Sequence, residues 1–407
     1  MSKKIKVGVL GAFRGETMIK FCKNTDECQL VAVCDKQEDL LNKFKKIKTI
    51  TCYTDFDKFI THDMDAVVLA NYANEHVPFA IKSLKAGKHV LSEVLAVASL
   101  KEAVDLIEAV ESTGLVYAYA ENYCYMPAVL EMTKLYQEGK IGELEYAEGE
   151  YVHNCEPIWA DITYGDKNHW RNNMSANFYC THSVGPMLYV SGLRPVSVTG
   201  FELPFVSRSA RIGRKSGIAG IEMITLENGA IIKSIHGDLC KNSIWYSFYG
   251  TKGRMESARE DSKQGDIYTL YTNFDSCEGV FDGEVIKLTP KDEFADKAEG
   301  LGHARSDYYP MHYFMEACKG NKSAKIIDVY AAVDMTLPGI YAYYSVLDGG
   351  TPKAIPNLRL KQERDKVRDD DRRPGRDLPT YSKYELDIDD SVYEKLKAAY
   401  LAKQKKL

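Results

Sequence analysis

The chain has 407 residues, 45% of them apolar and 27% charged, and a formal net charge of −5. That length exceeds one ordinary core and predicts two or three domains of a globular protein, and the acidic balance argues against a nucleic-acid partner. No stretch approaches the roughly 20 apolar residues of a membrane span, and the ten cysteines are scattered without a Cys-x-x-Cys pair, as in reduced thiols rather than a zinc knuckle or a disulfide framework.

The start, Met1-Ser-Lys-Lys-Ile-Lys, runs into a strand without an apolar signal region, so a cytoplasmic location is expected. Lys4–Gly11 reads as a buried strand, Ala12–Gly15 as a turn, and Glu16–Lys23 as a helix. Leu30–Cys34 is a second strand ending at Asp35, followed by a helical pattern around Asp39–Lys46 and a strand at Asp65–Ala70. Val77–Ala86 is helical and closed by Gly87; His89–Ser92, Leu100–Glu111 and Val116–Ala120 continue the alternation. Strands alternating with helices predict a doubly wound parallel sheet, here a Rossmann domain over residues 1–124.

A strand, a glycine turn and a helix, with an acid about 20 residues on, form the dinucleotide signature. Gly11 and Gly15 let the backbone approach a pyrophosphate at the helix N-terminus, although Ala12-Phe13 replaces the usual central glycine. Asp35 is placed to accept from ribose hydroxyls and would repel a 2′-phosphate, which favours NAD; Lys36 beside it weakens that preference.

Residues 125–357 read as a second, substrate-binding domain. Between 154 and 177, Trp159, Asp161, Tyr164, Asp166, His169, Trp170 and Arg171 lie in a long irregular segment whose aromatic faces suit sugar CH groups. Val196–Glu202, Ala219–Leu226, Ala230–His236, Ser243–Tyr249 and Ile267–Thr272 read as strands, with hairpin turns at Glu227–Gly229 and Gly250–Gly253. Helices return at about 308–319 and 328–347. From Leu358 to the end a charged arm is expected: the mixed run Lys361–Arg376 as a solvated segment, then an amphipathic helix at Leu386–Lys405 that packs on this subunit or a neighbour. A homo-oligomer, dimer or tetramer, is expected.

One stretch crowds a phenol, a thiol, a hydroxyl and an imidazole together and then meets Gly-Pro: Phe178-Tyr179-Cys180-Thr181-His182-Ser183-Val184-Gly185-Pro186. A turn is predicted at Gly185-Pro186. Histidine beside tyrosine suits acid/base work at a carbon bearing hydroxyls, although a hydrogen-bonded core histidine would read the same way. His153 with Cys155 and Glu156 could be read as a metal cluster, but no second ligand pair at defined spacing accompanies it, so no metal is expected.

Two blocks, Asp65-Ala-Val-Val-Leu-Ala-Asn71-Tyr72-Ala-Asn74-Glu-His76 and Leu84-Lys-Ala-Gly87-Lys88-His89-Val90-Leu-Ser-Glu93, resemble the Gfo/Idh/MocA family, the relatives of glucose–fructose oxidoreductase and inositol dehydrogenase. The resemblance implies NAD(P) in the first domain, with Gly11, Phe13, Arg14, Gly15, Asp35, Asn71, His76 and Glu93 as cofactor-binding candidates. It also implies a second domain with an open, mainly antiparallel sheet holding a sugar-like substrate. Typical members carry Glu-Lys-Pro where this chain has Glu93-Val94-Leu95, and an aspartate where it has Phe178, four residues before His182. Neither replacement can move a proton.

Those departures resemble a subgroup, the NAD-dependent glycoside hydrolases similar to bacterial α-N-acetylgalactosaminidases. Tyr179–Pro186, Glu121–Tyr125, Tyr151, Gly302-His303 and Ile327–Ala332 match its blocks. The resemblance implies transient oxidation of a glycoside at C3, loss of the C2 proton, departure of the C1 substituent, addition of water and re-reduction. His182 is then expected at the oxidised hydroxyl, and Tyr179 and Tyr151 jointly at the C2 proton and the water or leaving group. Glu121, Tyr123, Trp170 and His303 are expected to contact substrate. Other readings stay open: Glu121 as a helix cap, Tyr151 as a plain sheet residue, Asp307 as a cap, and the whole chain as a sugar or polyol dehydrogenase with net hydride transfer.

Overall fold

The computed structural model describes residues 4–204, 207–259, 270–274, 284–375 and 388–404. The chain forms two units that interleave in sequence: residues 1–127, 291–334 and 357–371 make the first, and 128–290, 335–356 and 372–407 the second. The first unit therefore takes back two segments that the sequence reading places in the substrate domain and the arm.

In the first unit, β1 (Ile5–Leu10), β2 (Cys28–Cys34), β3 (Thr51–Tyr53), β4 (Ala66–Leu69), β5 (His89–Ser92) and β6 (Tyr117–Tyr119) form a parallel sheet in the order β3-β2-β1-β4-β5-β6. Val7, Val9, Val67, Val68, Val90 and Leu91 are buried almost completely, as expected of strands covered on both faces. The order reverses between β1 and β4, and ligands of doubly wound sheets bind at such a switch. The Tyr308–Cys318 helix returns to this unit, with Tyr308 against Phe21 at 5.2 Å and His312 Nδ1 within 3.0 Å of Glu27.

The second unit is built on β7 (Leu144–Val152), β8 (Pro195–Glu202), β9 (Ala219–Leu226), β10 (Ile231–Gly237), β11 (Ser243–Gly250), β12 (Gly253–Glu256), β13 (Leu270–Phe274), β14 (Glu284–Leu288) and β15 (Lys353–Ala354). Their order is β14-β13-β12-β11-β7-β10-β9-β8-β15, antiparallel except for the parallel β7–β10 pair. Of the strand expected at Ile267–Thr272, residues 267–269 lie outside the described residues. The turn between β9 and β10 is closed by Gly229 at φ +90°.

Three expectations change. The 154–177 segment is not irregular throughout: it holds short helices at Glu156–Ile158, Trp159–Thr163, Trp170–Asn173 and Ala176–Tyr179. The helix from Thr181 continues through Gly185-Pro186 to Ser191 instead of turning there. The charged run is not a solvated arm along its length, because Lys361–Val367 is helical, and Arg364, 6% exposed, grips Glu111 through both terminal nitrogens at 2.9 and 3.1 Å. Arg376 lies outside the described residues. The terminal helix spans Asp390–Gln404 and packs on the second unit through Tyr393, which donates to the Gly213 carbonyl at 2.8 Å; residues 386–387 and 405 of its expected span lie outside the described residues.

Candidate active site

In the first unit the chain leaves β1 into a turn that only glycine can make. Gly11 has φ +94°, and a Cβ there would meet the Ala70 carbonyl oxygen at 2.3 Å. A Cβ at Gly15 would meet the Gly11 carbonyl oxygen at 2.3 Å. Asp35, buried at the end of β2, braces the turn: its carboxylate accepts from Ala12 N at 2.7 Å and Gln37 N at 2.8 Å. These features fit a dinucleotide: bare glycines at 11 and 15 before the Glu16–Asn24 helix, and a buried acid at the end of β2. Phe13 is exposed beside them, and Lys36 lies over the Tyr72 ring at 3.9 Å.

The other cofactor candidates gather near the ends of β4 and β5. His76 is buried, donates from Nδ1 to the Leu95 carbonyl at 2.9 Å, and has its pKa driven down to about 4 by burial against the pull of backbone contacts. Asn71 donates to the Tyr72 carbonyl at 3.4 Å, and its Oδ1 is buried without a hydrogen-bond partner among the described residues. Glu93 meets Arg14 Nη2 at 2.6 Å; burial raises the Glu93 pKa, and Asp307 adds to the rise while Arg14 opposes it. Arg14 also holds Asp307 in a two-point pair at 3.0 and 3.1 Å.

Asp307 occupies the cap position of its helix but makes no cap bond. It binds Asn122 Nδ2 at 2.8 Å and His303 Nδ1 at 3.0 Å as well as Arg14. Burial alone would raise the Asp307 pKa, yet Arg14 and His303 overcome it and hold the carboxyl well below the usual carboxylate range. Glu121 does cap, accepting from Tyr123 N at 3.2 Å, so the bland reading of that residue is realised whatever else it does. Tyr123 meets His303 edge-on at 6.2 Å.

In the second unit the Thr181–Ser191 helix carries His182 in its first turn. Pro186 has no N–H for the His182 carbonyl four residues back, and the Tyr246 hydroxyl supplies that bond instead at 2.5 Å. Gly149 lets the helix press onto β7, since a Cβ there would meet the Ser183 carbonyl oxygen at 2.5 Å. The His182 ring thereby lies 4.6 Å from the ring of Tyr151 and 5.3 Å from that of Tyr179. Tyr179 reaches it from the Ala176–Tyr179 turn that precedes the helix, not from the helix itself.

Trp170 stands 6.4 Å from Tyr179, and the Arg171 guanidinium lies 4.5 Å from the centroid of the Trp170 ring and 5.0 Å from that of Tyr179. Burial works against the Arg171 charge, but Tyr179, Cys155 and Tyr151 sustain it and raise its pKa. Sequence reasoning placed Arg171 only in a polar loop. A basic residue beside a tryptophan in a segment rich in aromatics was the available signal. His153 Nδ1 lies 2.9 Å from Cys155 Sγ, whose pKa is pushed up to about 11 by burial and Asp238. Glu156 turns away to Arg208 and Arg211, and no cluster of three or more metal-ligating side chains occurs among the described residues.

Val94 and Phe178, standing where a lysine and an aspartate are usual, are 8% and 3% exposed. Each fills its place with apolar surface, Val94 in the first unit and Phe178 in the second.

Residues 5–121 match the model of the Gfo/Idh/MocA group, an oxidoreductase family with an NAD-binding Rossmann fold. Over 389 residues the chain is 24% identical to a glycosyl hydrolase family 109 protein of Stenotrophomonas maltophilia, covering 81% of this chain and 84% of that one. It is 26% identical over 390 residues to an α-N-acetylgalactosaminidase of Tannerella forsythia, covering 82% of this chain and 81% of that one. Among solved structures, scyllo-inositol dehydrogenase from Lactobacillus casei, with NAD(H) and scyllo-inositol bound, aligns with a TM-score of 0.69 at 17% identity, covering 88% of this chain and all of the other, a likeness of fold. No helix among the described residues is long and apolar enough to cross a membrane.

Proposed function

We propose that this chain, whose residues 5–121 match the NAD-binding domain of the Gfo/Idh/MocA oxidoreductases, cleaves a glycoside by oxidising it transiently at C3, with NAD as a cofactor that is regenerated in each turnover. The observation that carries the reading is the His182 imidazole flanked by Tyr151 and Tyr179, with Arg171 over the latter. The relatives named as family 109 hydrolases and α-N-acetylgalactosaminidase support it.

Bound NAD would supply a hydride acceptor that later returns the hydride. As the C3 hydride leaves, the His182 imidazole takes the C3 hydroxyl proton, leaving a ketone. The ketone makes the C2 proton acidic, and a phenolate of the Tyr151–Tyr179 pair removes it. A phenolate is a credible base only beside a cation, because a free tyrosine has a pKa of about 10. Arg171 is that cation. The electron pair at C2 then expels the C1 substituent, water adds at C1, the phenol returns the C2 proton, and His182 returns its proton as C3 is reduced. Trp170 would offer its ring to a CH face of the sugar.

Plain oxidation of a sugar or polyol is the second reading, favoured by the fold likeness to inositol dehydrogenase. The purified enzyme separates the two. The hydrolase reading expects turnover of aryl glycosides without added cofactor and solvent deuterium at C2 of the product. Stoichiometric NADH release during turnover is the opposite outcome and would leave only the dehydrogenase.

A further inference from the structure

We propose that His303 is a cofactor-binding residue that donates from Nε2 to the pyrophosphate of NAD, beside the Gly11–Gly15 turn. Every residue involved lies in the first unit, and the assignment holds whether the net reaction is hydrolysis or oxidation. The sequence sets His303 among substrate contacts, but the bonds of its segment run to the cofactor turn. Gly302 N donates to Thr17 Oγ1 at 3.1 Å, in the first turn of the Glu16–Asn24 helix. His303 Nδ1 meets Asp307 Oδ2 at 3.0 Å, and the same carboxylate accepts from Arg14 at 3.0 and 3.1 Å and from Asn122 Nδ2 at 2.8 Å. A Cβ at Gly302 would meet Asp307 Oδ2 at 2.5 Å, so only a bare backbone passes that oxygen. The segment is thus fastened on both sides of Gly15, to Arg14 before it and to Thr17 after it.

Charge explains why a second cation belongs there. The bare glycines let backbone amides approach a pyrophosphate, and Arg14 is the one basic residue from Gly11 to Gly15. Its guanidinium is already committed to two carboxylates, Asp307 and, at 2.6 Å, Glu93. His303 supplies what Arg14 gives up. A carboxylate on one ring nitrogen fixes an imidazole and stabilises its doubly protonated form, whose other N–H can make a charge-assisted bond to an anion. The His303 side chain is 40% exposed while Asp307 is buried, and Nε2 has no hydrogen-bond partner among the described residues.

The backbone is distorted to hold the ring there. His303, Ala304 and Arg305 have φ of +49°, +51° and +75°, three left-handed residues in a row without a glycine. Strain of this kind concentrates at ligand clamps. A helix cap does not require it, because Asp307 stands at the cap position and makes no cap bond.

The test is a series of ligands on the full-length chain freed of bound nucleotide. The Kd of NADH comes from quenching of protein fluorescence, and those of ADP-ribose, ADP and adenosine from displacement of NADH. The first three carry a pyrophosphate and adenosine does not. His303→Ala should raise the Kd of NADH, ADP-ribose and ADP by about tenfold each and leave that of adenosine unchanged, as the loss of one charge-assisted bond requires. His303→Lys should recover part of the loss for those three. Should His303→Ala fold poorly, His303→Asn keeps the comparison, because asparagine tolerates the left-handed φ and carries no charge. Four unchanged Kd values would overturn the assignment. So would an equal loss for adenosine, which marks a general disturbance of the domain, or a loss for ADP-ribose without one for ADP, which puts the ring on the nicotinamide-side ribose.

Discussion

In the proposed mechanism, Arg171 is the cation beside the tyrosine base. Its guanidinium faces Tyr179, and Tyr179 in turn sustains the Arg171 charge against burial. The interaction is reciprocal: a cation that a phenol stabilises also favours that phenol's ionised form. Arg171→Met should therefore move the rising limb of the kcat/KM–pH profile upward by about one pH unit or more and reduce turnover at neutral pH by about tenfold. Arg171→Lys should restore part of it, since it keeps the charge but not the flat stacking surface. A profile unchanged in Arg171→Met would remove Arg171 from the mechanism. Tyr151, Tyr179 and His182 can be singled out from their residue types alone, and the structure brings their rings together. Arg171 cannot be, because an arginine in a loop is ordinary until its neighbours are known. Asp307 was legible only as a cap, since its real partners, Arg14 and Asn122, lie 293 and 185 residues away in the chain.

At the scale of elements, the Thr181–Ser191 helix rests on a polar floor made by β7, β10 and β9. Tyr151, His236 and Gly220 are register partners across those strands, as are Gly149, Ser234 and Glu222. Ser183 Oγ lies 2.7 Å from Ser234 Oγ and 3.3 Å from His236 Nδ1, so the helix is tied to the floor next to His182. Glu222 is wholly buried, with His236 Nε2 at 3.8 Å from its Oε1. Burial raises the Glu222 pKa well above 4.5, and burial lowers that of His236 from 6.5 to about 4. The two act on opposite sides. An acid whose folded pKa is raised stabilises the fold fully below 4.5 and loses that contribution as pH rises through the folded value. A depressed histidine contributes above 6.5 and loses the contribution as pH falls toward about 4, worth about 3 kcal/mol at about 1.4 kcal/mol per pH unit. Glu222→Gln, which keeps the shape and cannot ionise, should unfold at higher urea than the wild type at pH 8, with the gap closing toward pH 4.5. Equal midpoints at both pH values would mean that Glu222 is not held neutral. Little of this floor could be read from sequence. The alternation of β9 and β10 was clear, but the register that sets Glu222 beside Ser234 is a product of pairing. The passage of the helix through Gly185-Pro186 was equally hidden, since it depends on a tyrosine hydroxyl 64 residues away.

At the scale of the whole chain, the parallel order of the first 120 residues was legible from strand and helix alternation, whereas the boundaries of the units were not. Alternation is local, but the first unit is completed by chain that returns after the second sheet has been built. The returning segment carries structural bonds as well as His303: Tyr119 N donates to the Ile327 carbonyl at 2.9 Å, and the Tyr125 hydroxyl to the Lys325 carbonyl at 2.8 Å. Phe21 and Tyr308 pack together, and Arg14 and Asn122 both depend on Asp307. A fragment ending at Pro127 would thus expose the inner face of the Glu16–Asn24 helix and leave the guanidinium of the cofactor turn without its buried carboxylate. That fragment should melt without a cooperative transition and should not bind NAD. Joining residues 1–127 to 291–334 through a long flexible linker should restore both, because the added segment supplies the missing helix and Asp307 together. Circular dichroism melts and quenching of protein fluorescence by NADH would follow the two properties. If the short fragment alone binds NAD and unfolds cooperatively, the returning segment is not needed for the stability of the first unit. If only the joined form does so, the forty-odd residues that return after the second sheet also hold the glycine turn in shape.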